Sequence, residues 1–442
     1  MNKPLKLSIV AGAVALAISG LSYGETLKEV VQVSIETNPL VGRAVKRREA
    51  ADAATEAAKG GYYPKIDWLY GAGNERSQNT TTTLVTGTSG WVRMNRREEG
   101  MVLNQMLWDG LGVKSEVDRR KAIAESSAHT AYASAEEVAL QAIDAYLDVV
   151  KNRVILGYAR DNLKAHEDTV KLIEIRSKGR DAGVDLTQAQ ARLSLSQSNI
   201  TAAESSLRDS EIAFLKVVGK NPINPVEPKV PMDIPKTVDE AVKIGFANHP
   251  TLKASQSDVE QATAQRELAR SFWSPRLELE ASYTNNKNID GVPGPNRDRM
   301  LMLWVKWNLF RGGFDYHRLK ETALQIDEAT EVSRNTNRQV ENAVRLAYNA
   351  FASARDRLPN LDRYVKSSDE TRKQYALQFQ RNARTLLDLL DSENEFYTAR
   401  KEYTTAKYID LSARFRVLNA MGMLLATLDV NPPAQSVVRN DK

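Results

Sequence analysis

Four histidines are the first side chains to consider as catalytic or metal-binding groups, and their spacing favours neither role. None lies within four residues of another, so the chain has no H-E-x-x-H zinc helix; they are His129, His166, His249 and His317. The chain also has no cysteine, no phosphate-binding G-x-x-x-x-G-K-S/T loop and no G-x-S-x-G nucleophile motif. We therefore predict that the protein is not an enzyme and has no catalytic residue, no cofactor and no certain metal site.

The segment FQRNARTLLDLLD, residues 379–391, places two carboxylates where they could bind ions. Asp388 and Asp391 are three residues apart and therefore share one face of a helix. Repeated around a symmetric assembly, such carboxylates would form a ring that could bind cations. In a monomer they are ordinary solvated helix acids, and the spacing leaves both interpretations open.

The segments that carry these residues belong to an internal repeat, which occurs twice along the 442-residue chain. The motif TNP at 37–39 returns as NHP 211 residues later, and YYP at 62–64 returns as WSP at the same offset. A Pro-rich stretch at 219–237 cannot be helical and connects the copies. We predict a first structural repeat at 25–218, a second at 238–430 and a flexible tail at 431–442.

The amino terminus has the pattern of a secretory signal. Lys3 and Lys6 precede an apolar run, and small residues then mark a cleavage site before Glu25, which predicts a signal peptide at 1–24. A membrane anchor is the alternative, but the run is shorter than the roughly 20 residues that a spanning helix needs. Removal of the signal peptide with its two lysines lowers the net charge from +5 to +3. Such a small net charge does not indicate nucleic-acid binding.

Four short segments alternate apolar and polar residues with a period of two, as strands with one apolar face do. The polar, Gly-, Thr- and Asn-rich segments between the members of each pair predict long loops rather than tight hairpin turns, as on the external side of an outer-membrane barrel. A small soluble sheet on a helical body would show the same alternation. The strands are expected at about 62–73, 99–109, 275–285 and 299–311.

Four strands are too few to close a barrel, which needs about eight. If these strands cross a membrane, several copies of the chain must therefore contribute to one barrel. A homotrimer would supply twelve strands, an even number within the range of bacterial outer-membrane barrels.

Long helices follow each pair of strands, and the first would be about 100 Å long at 1.5 Å per residue. Small residues recur in them at alternating spacings of four and three, the period of a coiled coil. A soluble coiled coil would explain this pattern but not the strands. The helices are expected at about 112–178, 186–218, 313–381 and 386–424. The small-residue seams are Ala124, Ala128, Ala131, Ala135, Val138, Ala142, Ala145 and Val149, and then Ser333, Thr336, Val340, Ala343, Ala347, Ala350 and Ala354.

Taken together, the motifs resemble those of the TolC-type outer-membrane factor family along nearly the whole mature length. The similarity lies in the NP after the first helix, the YYP and WSP strand entries, and the LWDG and LFRGG strand exits. It implies a mainly α protein with a membrane β part: a trimeric twelve-stranded barrel in outer-membrane lipid and a long α-helical barrel across the periplasm. The strand-exit turns, at Trp108, Gly110, Phe310 and Gly312, would return the chain from the barrel to the tunnel helices.

The resemblance also assigns roles at the two helix tips. Arg384 falls where the family has an arginine that holds the periplasmic entrance shut, and Asp185 lies where its carboxylate partner would be. An Arg–Asp pair can hold a closed state and still break when a partner binds. Phe379 and Asn382 depart from the tyrosine and glycine often found there. Asp388 and Asp391 would form the acidic ring at the entrance.

The resemblance implies partners as well, because a channel without an ATP site depends on a pump. These are a periplasmic adaptor (membrane fusion protein) and an inner-membrane ABC transporter. The segment at 96–122 is similar to channels of type I secretion systems that export large adhesins, and no lipidation cysteine follows the signal. Two alternatives stay open: a multidrug efflux channel with an RND-type pump, and a periplasmic coiled-coil scaffold.

Overall fold

A computed structural model of the chain describes residues 25–87, 89–177, 183–228 and 234–438. The expected signal peptide at 1–24 lies outside the described residues. The first half contains α1 (Leu27–Thr37), α2 (Pro39–Lys59), β1 (Lys65–Ser77), α3 (Thr80–Thr86), β2 (Val92–Trp108), α4 (Gly112–Ser177) and α5 (Gly183–Val218). The second half contains α6 (Val238–Asn248), α7 (Pro250–Ser271), β3 (Arg276–Ile289), β4 (Val292–Lys306), α8 (Phe314–Gln380), α9 (Leu386–Ala420) and α10 (Leu424–Thr427).

The repeated NP and HP motifs begin equivalent helices in the two halves. Proline occupies the first position of α2 and of α7, where a missing backbone N–H costs nothing. The residue before it caps the helix: the Asn38 side chain accepts a hydrogen bond from the Leu40 N–H at 2.9 Å, and the His249 Nδ1 accepts one from the Thr251 N–H at 3.3 Å. The same order of long elements then follows in each half.

The four strands form one antiparallel sheet in the order β1-β2-β3-β4, and its two faces differ in polarity. Because directly paired residues point to the same side, the register assigns each side chain to a face. The apolar face carries Ile66, Trp68, Met101, Leu103, Leu277, Leu279, Ala281, Leu301, Leu303 and Val305. The polar face carries Lys65, Asp67, Asn104, Glu278, Glu280 and Ser282, together with Met300, Met302 and Trp304.

The expected long loop between the third and fourth strands is wrong. β3 and β4 continue through the polar residues and join at a two-residue turn, Asp290–Gly291, with φ of +54° and +79°. Asp-Gly is a preferred pair for such a turn because both positions need positive φ. The first pair of strands is also longer than expected, since β1 runs to Ser77 and β2 begins at Val92, with α3 between them.

The small-residue seam of the first long helix is confirmed. All eight of its residues are buried on α4, which packs against α2, α5, α7 and α9. Within the single chain, the seam expected on α8 is buried at Thr336, Val340 and Ala354 and exposed at Ala343 and Ala350, and Val344 and Phe351 are buried as well. Large residues from both halves meet in the main core, among them Tyr146, Phe214, Phe415 and Leu424.

The Pro-rich connection and the tail both pack on the helices. The Tyr146 hydroxyl donates to the carbonyl oxygens of Glu25 and Val226, which fixes the connection to α4. The tail was expected to be flexible; its described part contacts the helices, because the Asn431 N–H donates to Gln32 at 3.0 Å and Ser436 is buried. Residues 439–442 lie outside the described part.

Across the described residues, none of the helices combines the length and the apolar character that crossing a membrane would demand.

Candidate functional site

The first strand-exit turn joins β2 to the 66-residue helix α4. The Asp109 carboxylate accepts hydrogen bonds from the Gly112 N–H at 2.9 Å and the Val113 N–H at 2.6 Å, so it satisfies donors that have no partner within the helix. Gly110 has a φ of +71°, and its backbone approaches α7 closely. Trp108 is exposed at the end of the strand, where an aromatic ring suits a membrane interface.

The second strand-exit turn performs the same task with different contacts. Gly312 and Gly313 have φ of +59° and +83°, and Gly313 is the N-cap of α8. The Arg311 guanidinium pairs with Asp315 in the first turn, with its Nε 2.9 Å from Oδ2, so the carboxylate lies near the positive end of the helix dipole. Phe310 is exposed, as Trp108 is.

We predict that Gly110→Ala destabilises the assembled protein more than Gly312→Ala. Both positions have positive φ, which costs an alanine about 1–2 kcal/mol. At Gly110 an added Cβ would also lie 2.4 Å from Ser274 Cβ and 2.7 Å from the Ser271 carbonyl oxygen, whereas at Gly312 nothing lies within 4 Å. Heat dissociation of the detergent-purified assembly measures the difference. Equal losses would show that the contact with α7 is unimportant.

The tip between α8 and α9 has the local geometry that its sequence suggests. Asn382 has a φ of +55°, so it does adopt the left-handed conformation that glycine would supply. The Ala383 N–H donates to the Gln378 carbonyl oxygen at 2.9 Å and closes the turn. Phe379 is buried with Leu386 and Leu390 in a small cluster at the tip. The Arg176 guanidinium lies 4.8 Å from its ring centroid.

Arg384 contacts its own helical hairpin in the single chain. Its Nε donates to Gln378 Oε1 at 2.9 Å, its guanidinium lies 4.3 Å from the Tyr375 ring, and Nη1 is 3.8 Å from Asp388 Oδ2. Asp185 is exposed in the first turn of α5. The chain alone does not bring Arg384 and Asp185 together, so their pairing stays a prediction about neighbouring copies.

Both carboxylates of the expected acidic ring have partners within the chain. Asp388 forms a reciprocal cap with Thr385 at the start of α9, and hydrogen bonds from Thr385 hold the pKa of Asp388 below its usual value. Asp391 Oδ1 accepts a hydrogen bond from the Arg192 guanidinium of α5 at 2.6 Å. Arg192 was missed from the sequence, because only the packing of α5 on α9 shows that residues 199 positions apart are neighbours.

A second set of residues missed from the sequence joins α4 to α9 above the tip. The Arg400 guanidinium lies 3.6 Å from the Tyr158 ring centroid and donates to Asp161 at 3.0 Å. Next to it, Arg372 lies against the Phe396 ring and is 3.4 Å from the largely buried carboxylate of Glu393. The sequence did not predict these contacts, because the charged residues that form them lie on separate helices.

The histidines lie apart from one another, and the surroundings differ from one to the next. His166 is buried in the helical body, where burial and then the charge of Arg192 lower its pKa. His249 caps α7, and His317 lies against Tyr316. Over the described ranges, no three histidine or carboxylate side chains converge as a metal ion requires.

Comparison with known proteins was made by sequence and by structure. The model of a family described as outer membrane efflux protein matches residues 30–220 and 245–423. Outer membrane efflux protein BepC of Brucella suis is 22% identical, with 95% of this chain and 91% of BepC aligned. Alkaline protease secretion protein AprF of Pseudomonas aeruginosa is 23% identical, with 93% and 88% aligned. The outer-membrane channel OprN superposes with a TM-score of 0.75 at 18% identity, covering 90% of this chain and 89% of OprN.

The family match covers both halves of the chain, and the fold of the solved channel extends over strands and helices alike. This agreement assigns the protein to the outer membrane of a Gram-negative bacterium. The chain belongs to the outer membrane efflux protein family and is a TolC-type outer-membrane factor.

Proposed function

We propose that three copies of the chain form one channel, with a twelve-stranded barrel in the outer membrane and a helical tunnel through the periplasm. The observation that carries this proposal is the sheet itself. β1 and β4 each have one edge without a strand partner among the described residues. No backbone polar group can stay unpaired in lipid, so β4 of one copy is expected to pair with β1 of the next.

The exposure of the sheet supports the same arrangement. Trp68, Leu301 and Val305 are exposed on its apolar face, whereas the opposite face carries the Lys306–Glu278 ion pair at 2.6 Å. An outer-membrane barrel has this distribution, with apolar residues toward lipid and polar residues toward the lumen.

The pairing of neighbouring copies can be tested with disulfides, since the natural chain has no cysteine. Within one chain, three strand spacings separate β1 from β4, or about 14 Å, and a disulfide needs Cα atoms within about 7 Å. A cysteine replacing Leu303 on β4 is combined with a cysteine at each position from 66 to 70 on β1. At least one combination is expected to form covalent oligomers in the membrane.

A matched control places the second cysteine at Leu103, which lies on the same face as Leu303 but on the inner strand β2, where no neighbouring copy can reach. If no β1 position forms oligomers, or if the protein is water-soluble without detergent, the barrel proposal fails and the periplasmic scaffold is favoured.

We further propose that the channel is the exit duct of a type I secretion system and exports a protein, a large adhesin. An inner-membrane ABC transporter would drive export and a periplasmic adaptor would join it to the helix tips. Support comes from the segment at 96–122 and from the relative AprF, which is named for the secretion of a protease. Multidrug efflux with an RND-type pump is the alternative, because BepC is named as an efflux protein.

Deletion of the gene separates these two roles. Loss of one large protein from the culture medium and the cell surface, with unchanged drug susceptibility, is the expected result. Increased drug susceptibility with normal protein export would favour the efflux role. Complementation of the deletion strain with the natural gene is the control, and it should restore the lost phenotype.

A further inference from the structure

The outward, apolar face of the sheet changes to a basic surface towards its external end. Following the register outward, the rows of Leu303 and Leu301 lead to a row containing Tyr283 and Arg299, and the rows beyond it carry mainly polar and charged residues. Six cationic residues lie on this side of the strands, and we call them the basic belt: Arg76, Arg93, Arg97, Lys287, Arg297 and Arg299. All six are exposed.

The basic belt contains two like-charge pairs that face each other directly across strands. Arg76 is opposite Arg93 on β1 and β2, and Arg97 is opposite Lys287 on β2 and β3. Like charges directly opposite each other destabilise a sheet. Within the part of the chain that the structure describes, the belt has one ion pair, from Arg97 to Glu99 at 3.2 Å. The belt therefore carries a cost that an anionic partner would remove.

The lumen side at the same end of the sheet is different. Arg96, next in sequence to Arg97, points to the lumen side and is neutralised by three carboxylates. It lies 2.8 Å from Glu75 and 3.3 Å from Asp290, and it also pairs with Glu98. The Arg96 charge is thus balanced within the chain, whereas five of the six belt cations have no ion pair among the described residues.

The inner edge of the basic belt, at Arg299, coincides with the outer edge of the apolar band, whereas Arg76 and Arg93 lie eight residues further along their strands. The Arg97 and Arg299 guanidiniums lie 5.5 Å and 5.7 Å from the rings of Tyr70 and Tyr283, and aromatic residues of barrels mark the membrane interface.

We propose that the basic belt binds the phosphate groups of lipids in the outer leaflet of the outer membrane. Arginine and lysine suit phosphate oxygens through charge-assisted hydrogen bonds, and the inner belt residues Arg299, Arg297 and Lys287 lie next to the outer edge of the apolar band. The hairpin ends of the strands point away from the long helices, so this headgroup layer is the external one. The inference rests on the proposed barrel and adds a lipid class to it.

The test titrates the detergent-purified assembly with diphosphoryl lipid A and counts bound lipid by native mass spectrometry. Each basic residue near an anionic lipid surface strengthens binding about fivefold. The triple variant Lys287→Gln, Arg297→Gln, Arg299→Gln is expected to weaken binding roughly a hundredfold. These three residues have no ion pair within the described ranges, so the variant should still form the oligomer in lipid-free detergent.

A matched pair of single substitutions assigns the effect to the outward face. Lys287→Gln is expected to weaken lipid A binding about fivefold. Lys65→Gln removes an equally exposed lysine from the lumen side of β1 and should change nothing. Equal weakening by both, or equal binding of dephosphorylated lipid A, would overturn the inference. So would competition by inorganic phosphate at the same concentration, because it would show that the site recognises a free anion.

Single-channel conductance of the same preparations keeps the two proposals apart. If the natural protein conducts ions but the belt variants bind lipid A as tightly as it does, only the lipid inference is refuted. Absence of conductance in the natural protein refutes the proposed channel itself.

Discussion

Phe415→Ala is expected to be among the most destabilising single substitutions in the helical body, at about 3–5 kcal/mol. Phe415 is 0% exposed and lies on α9 in the core where the two halves of the chain meet. Removing the ring loses its burial and leaves a cavity that rigid, closely packed helices cannot fill by relaxing. Circular dichroism during heating and the loss of the oligomer band on semi-native gels measure the effect.

Phe415→Leu is the matched control, because it keeps the site apolar and leaves a smaller cavity. Its effect should be clearly smaller than that of Phe415→Ala. If both variants have the same melting temperature as the natural protein, the stability of the two halves does not depend on a shared core.

Glu136→Gln is expected to remove a pH dependence of stability between about pH 4.5 and 7. The Glu136 carboxylate is 2% exposed and accepts hydrogen bonds from the Leu424 N–H at 3.2 Å and the Leu425 N–H at 3.0 Å. Burial raises its pKa to about 7 from the usual 4.5, although these hydrogen bonds oppose the shift. This carboxylate connects α4 to the start of α10.

The sign follows from the direction of the shift. Because the folded pKa is higher, the folded state binds more protons than the unfolded state between pH 4.5 and 7. Ionised Glu136 therefore lowers stability above pH 7, and this loss is relieved as the pH falls toward 4.5. The full difference is about 3 kcal/mol at 1.36 kcal/mol per pKa unit.

The measurement is the melting temperature from pH 4.5 to 8, taken as the difference between natural and variant proteins so that other titrating groups cancel. Glu137→Gln, which replaces the exposed neighbouring acid, is the control and should retain the natural pH dependence. An unchanged pH profile for Glu136→Gln would contradict the assignment to this carboxylate.

The sequence predicted best what depends on local periodicity. The seam from Ala124 to Val149 is buried because close helix packing requires small residues at coiled-coil spacing, and that spacing is visible in one sequence. Asn382 stands where a glycine is often found and adopts the left-handed conformation that glycine would supply. Repetition of the NP and HP motifs likewise identified equivalent helix starts.

The errors and omissions come from contacts between distant segments or from overlooked turn chemistry. Composition alone suggested a long loop between β3 and β4, but Asp290–Gly291 makes a tight turn and the polar residues continue the ladder. On α8, Val344 and Phe351 are buried because α9 and its neighbours decide which face is covered. Arg192, Arg400 and Glu136 act across helices, so a linear pattern could not reveal their partners.

The central claim, a gated trimeric channel, is tested most directly by reconstituting the mature protein into planar bilayers. The natural protein is compared with Arg384→Ala, which removes the cation expected to pair with Asp185 of a neighbouring copy. We expect cation-selective conductance that increases in the variant. Conductance that the substitution leaves unchanged would keep the channel and remove the Arg384 gate. A protein that gives no conductance and stays soluble without detergent would contradict the account.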